Sequence, residues 1–201
     1  MLPQPLFEAA IGSVPGAGTL RHGLFLYGLV RWLRPEVCVE IGSFHGHTAG
    51  RIGRALQENG SGKLYCIDDF SLGAGPALFY NLGTMGVGDV VEVRAGRSDE
   101  EGIWPDPIDF AFIDGDHSYE GCKADILRAS ERGAHCIAFH DIADWWGPNQ
   151  VWEEELESIS GSAWSLFGVP FDGGLGVLMR LPVLGSVKHN QTDYPTGAIN
   201  A

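Results

Sequence analysis

Short apolar runs alternate with amphipathic stretches along most of the chain, and this alternation predicts the fold. Five runs are short and apolar enough to be strands buried on both faces: Val37–Ile41, Lys63–Asp68, Val90–Ala95, Phe110–Asp114 and Ala134–Asp141. Helical stretches occur at about Leu20–Arg34, His47–Asn59, Ala77–Met85 and Tyr119–Glu131. Strands and helices that alternate at this spacing predict an α/β fold with a doubly wound, parallel sheet.

The last third of the chain has a different pattern. A helix is predicted at about Gln150–Ser158, followed by two apolar runs, Ala163–Val169 and Gly176–Leu181. Too few residues separate these runs for a crossover helix, so we expect them to pair as an antiparallel hairpin. Residues 1–19 are predicted to be an irregular arm with a short helix around 7–11. Residues 20–182 then form one domain, and 183–201 form a mobile tail.

Length and charge limit the classes of partner. A chain of 201 residues is the size of one domain and can bury a large core. The net charge of −13 argues against nucleic acid or an anionic membrane surface as the main partner. No apolar run is long enough to span a bilayer, and the N-terminus lacks the basic lead of a signal peptide. We therefore expect a small neutral or cationic ligand, and self-association stays an open alternative.

The four cysteines favour a reducing compartment. Cys38, Cys66 and Cys136 lie inside predicted strands, and Cys122 lies on a predicted helix. No CxxC pair suggests zinc or a redox motif. Buried, reduced cysteines predict a cytoplasmic protein.

A glycine-containing turn follows the first strand, in the stretch Glu40–Gly46 with the sequence EIGSFHG. Gly42 permits a sharp turn with close approach of a ligand to the backbone, and Gly46 allows the next helix to pack closely. Asp68 ends the second strand, where a nucleoside-binding sheet places an acid that accepts hydrogen bonds from ribose hydroxyls. The alternative is that both glycines serve only a tight turn and that Asp68 caps a loop.

The residues around this turn favour one type of nucleoside. A dinucleotide site needs bare glycines and amides around the pyrophosphate, whereas Phe44, His45 and His47 crowd this turn. Glu40 would repel a phosphate and would attract the ammonium group of an amino acid. A nucleoside that carries an amino acid and no phosphate is S-adenosylmethionine, whose sulfonium is also cationic.

Four segments of the chain resemble a known family: VCVEIGSFHGHTA, LYCIDD, IDFAFIDGDHSYEG and CIAFHDI. They resemble class I S-adenosylmethionine-dependent methyltransferases, and in particular the group of macrocin O-methyltransferase and the cephalosporin-tailoring enzymes. The resemblance covers about residues 20–181. It implies a Rossmann-like sheet of about seven strands with an antiparallel last strand, and O-methylation of a small acceptor such as a sugar or natural product.

The resemblance also assigns residues to the cofactor. Glu40, Gly42 and Ser43 would contact its methionine part, with Gly46 in the same turn, and Asp68 would hold the ribose. Ser98 would lie near the adenine, and Asp114 would close the site on the side of the methyl group. We therefore expect these residues to lie around one cofactor site.

A second group of residues is implied at the ends of the fourth and fifth strands. In metal-dependent members of the family, a divalent ion such as Mg²⁺ binds at the positions of Asp114, His140 and Asp141. Such an ion lowers the pKa of an acceptor hydroxyl and fixes it near the methyl group. His117 occupies the position of the general base, and an imidazole is suited to that role.

His140 leaves three interpretations of the metal site open, because Mg²⁺ prefers oxygen ligands. The site could bind a transition metal, could bind Mg²⁺ with His140 turned aside, or could bind no metal. In the last case His140 or His117 would act as the base. A purely structural role, as a hydrogen-bonded strand end for His140 and as a turn histidine for His117, is a further alternative.

Two more motifs bear on function. Trp145 and Trp146 could form a wall of the acceptor pocket, or could cover the sheet edge or contact another subunit. Tyr119 and Lys123 have the spacing of the catalytic pair of short-chain dehydrogenases, although they follow the wrong strand. The leading hypothesis is therefore an O-methyltransferase. The alternatives are a non-catalytic cofactor-binding or scaffold protein and, less favoured, an NAD(P)-dependent oxidoreductase.

Overall fold

The predicted α/β fold is confirmed by the computed structural model, which describes residues 1–14, 20–143, 147–155, 164–170 and 173–180. The strands are β1 Val37–Ile41, β2 Lys63–Asp68, β3 Val91–Ala95, β4 Phe110–Ile113, β5 Cys136–His140, β6 Ser165–Val169 and β7 Leu175–Met179. The helices are α1 Gln4–Gly12, α2 Leu20–Leu33, α3 His47–Asn59, α4 Gly75–Met85, α5 Tyr119–Glu131 and α6 Gly147–Gln150, and α6 continues into a π-helical turn, Val151–Glu155.

The seven strands form one sheet in the order β3-β2-β1-β4-β5-β7-β6. Strands β1 to β5 pair in parallel, whereas β7 lies antiparallel between β5 and β6, as the predicted hairpin requires. The strand order reverses direction between β1 and β4. In a doubly wound sheet, ligands bind beside the carboxyl ends of the strands at such a reversal point.

The sheet separates two hydrophobic cores because alternate residues of each strand face opposite sides. Cys38, Phe112 and Ala138 face the core that is covered by α1 to α4. Val39 and Ile113 face the second core, which includes residues of α5 and of the π-helical turn. All four cysteines are free and buried, in agreement with the packing role predicted for them. In the part of the chain that the structure describes, no helix has the length and apolar character needed to cross a bilayer.

The N-terminal segment is more regular than predicted: in place of an irregular arm with a short helix around residues 7–11, it forms helix α1 over Gln4–Gly12. Helix α1 buries Phe7 and Ile11 completely. The Phe7 ring lies between the guanidinium groups of Arg51 and Arg54, at 5.5 and 5.2 Å from its centroid. Glu8 accepts two hydrogen bonds from Arg51, of 2.7 and 2.9 Å. These contacts attach α1 to α3, and they are tertiary interactions that local sequence cannot reveal.

The segment after β5 also differs from its prediction. The helix predicted at about Gln150–Ser158 begins three residues earlier, at Gly147, and changes from α to π geometry at Val151. The predicted residues beyond 155 lie outside the described part of the chain, as do Trp145, Trp146 and the 183–201 tail. A π-helical turn is rare and occurs most often at functional sites.

Candidate active site

A cleft of about 770 Å³ lies at the carboxyl edge of the sheet, at the reversal point between β1 and β4. The residues that follow β1 to β4 and the first turns of α5 form its walls. Five of the site residues predicted from sequence line it: Gly42, Asp68, Ser98, Asp114 and His117. The cleft is therefore large enough for a nucleoside that carries an amino acid, and it lies where the strand pattern placed it.

Position 42 must be glycine because the turn after β1 contacts the turn after β4 there. It has a φ of +79°, and an added Cβ would lie 2.2 Å from the carbonyl oxygen of Asp114. Its N–H donates to the carbonyl of Ile67 at 3.0 Å. The turn after β1 therefore lies in direct backbone contact with the turn after β4, and any side chain at position 42 would separate them.

Asp68 connects the same turn to the end of β2. One of its carboxylate oxygens accepts from the backbone N–H groups of Ser43 and Phe44, both at 2.9 Å. The other oxygen accepts from the N–H of Phe70 at 2.8 Å. Asp68 thus caps the loops, as the structural alternative expected, and it also lines the cleft. The two roles are compatible because Oδ1 accepts only one N–H and keeps a second lone pair.

Glu40 is not among the residues that line the cleft, and its contact with a ligand stays a prediction. Its side chain is completely buried beneath the turn. It accepts from the hydroxyls of Ser43, at 2.8 Å, and Thr48, and from the Cys66 thiol at 3.4 Å. Burial raises the pKa of Glu40 to about 7, although these donors favour the carboxylate. Glu40 is therefore a buried support for the turn.

Ser43 and Gly46 also lie behind the cleft surface. Ser43 is buried and uses its hydroxyl to donate to Glu40. Gly46 is the N-cap of α3 with a φ of +82°, and a Cβ there would lie 2.7 Å from Leu78. Gly46 thus permits close packing of α3 on α4, in agreement with the packing role expected for it.

Ser98 is fixed on the opposite side of the cleft by two partners. Its carbonyl accepts from the indole N–H of Trp104 at 2.7 Å. Its hydroxyl bonds to Asp125, a buried carboxylate on α5 whose pKa is raised by burial. The loop after β3 is therefore held at Ser98 by the Trp104 indole, and the Ser98 hydroxyl lies near α5 at Asp125.

Asp114, His117, His140 and Asp141 converge at the end of the cleft near β4 and β5. His117 Nε2 lies 2.8 Å from Asp141 Oδ2 and 3.4 Å from Asp114 Oδ1. His140 Nδ1 lies 3.2 Å from Asp141 Oδ1 and 3.4 Å from Asp114 Oδ1. One ligand atom each from Asp114, His140 and Asp141 lies within 4.8 Å of the others. His140 therefore faces the two carboxylates and is not turned aside.

Protonation of this group follows from its contacts. The nearby carboxylates of Asp114 and Asp141 raise the pKa of His117 to about 10. Burial disfavours the charged form of His140, but bonds to the same carboxylates raise its pKa to about 10 as well. Burial likewise opposes ionisation of Asp141, but bonds from His117 and His140 hold its pKa below the usual value. The two carboxylates therefore favour the protonated form of both imidazoles.

Backbone strain is concentrated around the same edge. Among the described residues, four that are not glycine have positive φ, and three of them, Phe44, Phe70 and Asp141, follow β1, β2 and β5. Such conformations cost about 1–3 kcal/mol each and cluster at functional sites. Asp141, with a φ of +65°, is one of the two residues whose carboxylates contact both histidines.

The structure adds residues that the sequence prediction missed. The cleft is also lined by carboxylates that follow β2, β3 and β4, namely Asp69, Asp99, Asp116 and Glu120. Their positions directly after strands were a signal that could have found them. The ring of His22 packs on that of His140, with centroids 4.6 Å apart. His22 is on α2, and no local pattern relates it to β5.

The dehydrogenase-like pair is a local contact on α5. Lys123 Nζ donates to Tyr119 Oη at 3.4 Å and lies 5.3 Å from the centre of its ring. Neither residue lines the 770 Å³ cleft. The structure thus gives no support to a role of this pair in dinucleotide chemistry.

Several solved structures share this fold. An O-methyltransferase from Bacillus cereus in complex with SAH is 18% identical, with a TM-score of 0.69 over 89% of this chain and 92% of that one. TomG, an O-methyltransferase from Streptomyces achromogenes involved in tomaymycin synthesis and crystallised with SAM, is 17% identical, with a TM-score of 0.65 over 90% and 92%. A methyltransferase from Geobacter sulfurreducens is 21% identical, with a TM-score of 0.64 over 90% and 93%.

Sequence comparison gives the family itself. No curated protein matches the chain significantly. A family model described as a methyltransferase domain matches residues 39–142, which is more than half of the chain. The matched range begins in β1, ends just after β5, and contains every residue of the Asp114–Asp141 group. The protein therefore belongs to the methyltransferase domain family.

Proposed function

We propose that this protein transfers the methyl group of S-adenosylmethionine to a hydroxyl group of a small acceptor. The observation that carries this proposal is the connection between the two parts of the site. Asp114 lines the cleft suited to an aminoacyl nucleoside, and it also belongs to the group formed with His117, His140 and Asp141. A methyl donor and a hydroxyl acceptor can therefore meet at one residue.

The charge of the cleft favours this cofactor over a dinucleotide. Six of its lining residues are carboxylates, namely Asp68, Asp69, Asp99, Asp114, Asp116 and Glu120, against two arginines, Arg97 and Arg128, which pair with Asp99 and Asp125. The carboxylates attract the sulfonium and ammonium groups of S-adenosylmethionine and repel a pyrophosphate. In our assignment, Gly42 approaches the methionine part, Asp68 the ribose, and Ser98 the adenine. Glu40, Ser43 and Gly46 support the turn from below.

The donors at the end of the cleft fit a divalent metal ion. Asp114 and Asp141 offer oxygen, and His140 offers nitrogen from a ring that already faces both carboxylates. A mixed set of this kind suits a transition metal such as Mn²⁺ better than Mg²⁺. When bound, the ion would lower the pKa of the acceptor hydroxyl and would neutralise the carboxylates that keep His117 protonated.

The residues of this chain then have separate tasks. The cleft holds the cofactor so that its methyl group faces Asp114, and the acceptor oxygen is placed on the opposite side of that methyl. As the C–S bond breaks, the C–O bond forms, and the hydroxyl proton goes to neutral His117. The products are S-adenosylhomocysteine and the methyl ether, and His117 returns its proton to water.

Calorimetry with S-adenosylhomocysteine tests the cofactor part. We expect binding in the micromolar range. Asp68→Ala should weaken it, because the substitution removes part of the cleft wall and also the acceptor of the Ser43 and Phe44 N–H groups. NADH is the control ligand. The proposal is refuted by a lack of S-adenosylhomocysteine binding at millimolar concentration, and NADH binding would favour an oxidoreductase instead.

The metal part can be tested without an acceptor. Electron paramagnetic resonance of added Mn²⁺ should show a bound ion in the wild type and its loss in Asp141→Asn. Glu153→Gln removes one exposed carboxylate outside the site and should leave Mn²⁺ binding unchanged. Equal Mn²⁺ binding by all three proteins would show that Asp114, His140 and Asp141 do not form the site.

Catalysis itself is tested by His117→Ala in a cellular methylation profile. We expect the products present with the wild type to be lost with the variant, while S-adenosylhomocysteine binding is retained. If the two profiles are identical although the cofactor binds, the protein is a non-catalytic cofactor-binding or scaffold protein.

A further inference from the structure

A second cavity, which we call the acidic groove, lies beside the cofactor cleft. It has a volume of about 600 Å³ and is lined by His117, Ser118, Tyr119, Glu120, Gly147, Gln150 and Glu154. His117 and Glu120 also line the 770 Å³ cleft, so the two cavities meet at the start of α5. A molecule in the groove can therefore present a hydroxyl to His117 on the side away from the adenine end of the cleft.

The floor of the groove is held in place by close backbone packing. The N–H of Gly147 donates to the carbonyl of His117 at 3.1 Å. An added Cβ on Gly147 would lie 2.2 Å from the backbone nitrogen of Tyr119. Asn149 donates to the carbonyl of Ile142 at 2.7 Å, and Val151 is completely buried in the core. The groove is thus a built feature between α5 and the segment 147–155.

Apart from His117, which is paired with Asp114 and Asp141, the side chains of the groove that are charged at neutral pH are carboxylates. Glu120 and Glu154 are exposed carboxylates, and Gln150 adds an exposed amide. No lysine or arginine is among the described lining residues. Lys123 is directed to the Tyr119 hydroxyl and does not line the groove. A carboxylate or phosphate on an acceptor would be repelled here, whereas a protonated amine would be attracted.

We infer that the acidic groove is the acceptor site, and that the acceptor is a hydroxylated small molecule that carries a protonated amine. This inference rests on the proposed methyl transfer and adds its substrate class. The amine lies between Glu120 and Glu154, and the neighbouring hydroxyl points to His117. The polar lining also provides hydrogen bonds for further hydroxyl groups on the acceptor.

Two trios of small molecules test this inference, each with one scaffold and three charges. The first trio is glucosamine, glucose and glucuronate, and the second is dopamine, 4-ethylcatechol and 3,4-dihydroxyhydrocinnamate. Binding to the protein saturated with S-adenosylhomocysteine is measured by saturation-transfer NMR titration. We expect the amine-bearing member of at least one trio to bind more tightly than its neutral and acidic analogues.

A matched pair of variants assigns the preference to the groove. Glu153 and Glu154 are adjacent, exposed and in the same π-helical turn, but only Glu154 lines the groove. Glu154→Gln should weaken binding of the amine by about two- to fivefold, as expected for one exposed ion pair. Glu153→Gln should not change it, and neither variant should change the affinity for S-adenosylhomocysteine.

Several outcomes would overturn the inference. One is that none of the six probes binds to the S-adenosylhomocysteine complex, and another is that the neutral or acidic members bind more tightly. A third is that Glu153→Gln and Glu154→Gln weaken binding of the amine equally. Failure of S-adenosylhomocysteine itself to bind is a separate result, because it refutes the proposed function and leaves no cofactor complex on which to place an acceptor.

Discussion

The contact between the turns after β1 and β4 can be tested by adding a single carbon atom. Gly42→Ala places a Cβ 2.2 Å from the Asp114 carbonyl oxygen and 2.7 Å from Gly115 Cα. These neighbours are backbone atoms, so no side chain can rotate away. Gly60→Ala is the matched control, since Gly60 has a φ of +76° and no atom within 4 Å of an added Cβ.

The two substitutions separate conformational strain from steric contact. The left-handed conformation alone costs about 1 kcal/mol for alanine relative to glycine, and this is the expected destabilisation of Gly60→Ala. Gly42→Ala has the same strain, and the overpacking adds about 1–3 kcal/mol. The free energy of unfolding should therefore fall by about 2–4 kcal/mol in Gly42→Ala. Because Asp114 must move, the affinity for S-adenosylhomocysteine should fall by about tenfold or more.

Urea denaturation measures the free energy of unfolding, and calorimetry measures the affinity for S-adenosylhomocysteine. Gly115→Ala approaches the same contact from the other side, 2.9 Å from Ile41, without positive φ. It should also weaken binding of S-adenosylhomocysteine, whereas Gly60→Ala should leave that binding unchanged. Equal stabilities of Gly42→Ala and Gly60→Ala, or unchanged affinity in Gly42→Ala, would show that the two turns are not in the contact described.

Three further predictions concern single side chains. Burial lowers the pKa of His47 to about 4 from an ordinary 6.5, so its contribution to stability is present above pH 6.5 and is lost as the pH falls toward 4. Between pH 7.5 and 5.0 the wild type should lose about 2 kcal/mol of stability that His47→Phe retains, and parallel pH profiles in urea denaturation would contradict this. Asp68→Asn replaces one carboxylate oxygen that accepts backbone N–H groups, so it should lower the free energy of unfolding by about 1–3 kcal/mol and weaken S-adenosylhomocysteine binding. If neither quantity changes, these hydrogen bonds of Asp68 are unimportant. Trp104→Phe removes the donor to the Ser98 carbonyl and should cost about 1 kcal/mol, measured by thermal unfolding, with Trp164→Phe as the control.

The sequence determined the order and type of the elements because burial in a doubly wound sheet has a clear local signature. Strands β1 and β2 and helices α3 and α5 begin and end at the predicted residues. The antiparallel hairpin followed from the short connection between two apolar runs. The residues that end strands were also readable, since Gly42, Asp68 and Asp114 each follow or close an apolar run. The position of the site was therefore contained in the pattern.

Directions of side chains were decided only by tertiary packing. From sequence, Glu40 was expected to face the ligand, and only the tertiary structure shows that its side chain is buried beneath the turn. His117 had the spacing of a base, but only the tertiary structure shows that it faces two carboxylates that follow different strands. His22 gave no signal at all, because its contact with His140 joins α2 to β5.

The acidic groove shows the same division between sequence and structure. The sequence contains Glu120 on a predicted helix and Glu154 on another, but nothing local places them on one cavity. They lie together because Gly147, having no side chain, lets the segment 147–155 pack on the turn after β4. The sequence by itself thus determined the type of sheet, its antiparallel hairpin and the strand ends that line the cleft. Only the tertiary structure decided which charges share a cavity, since that depends on contacts between residues far apart in the chain.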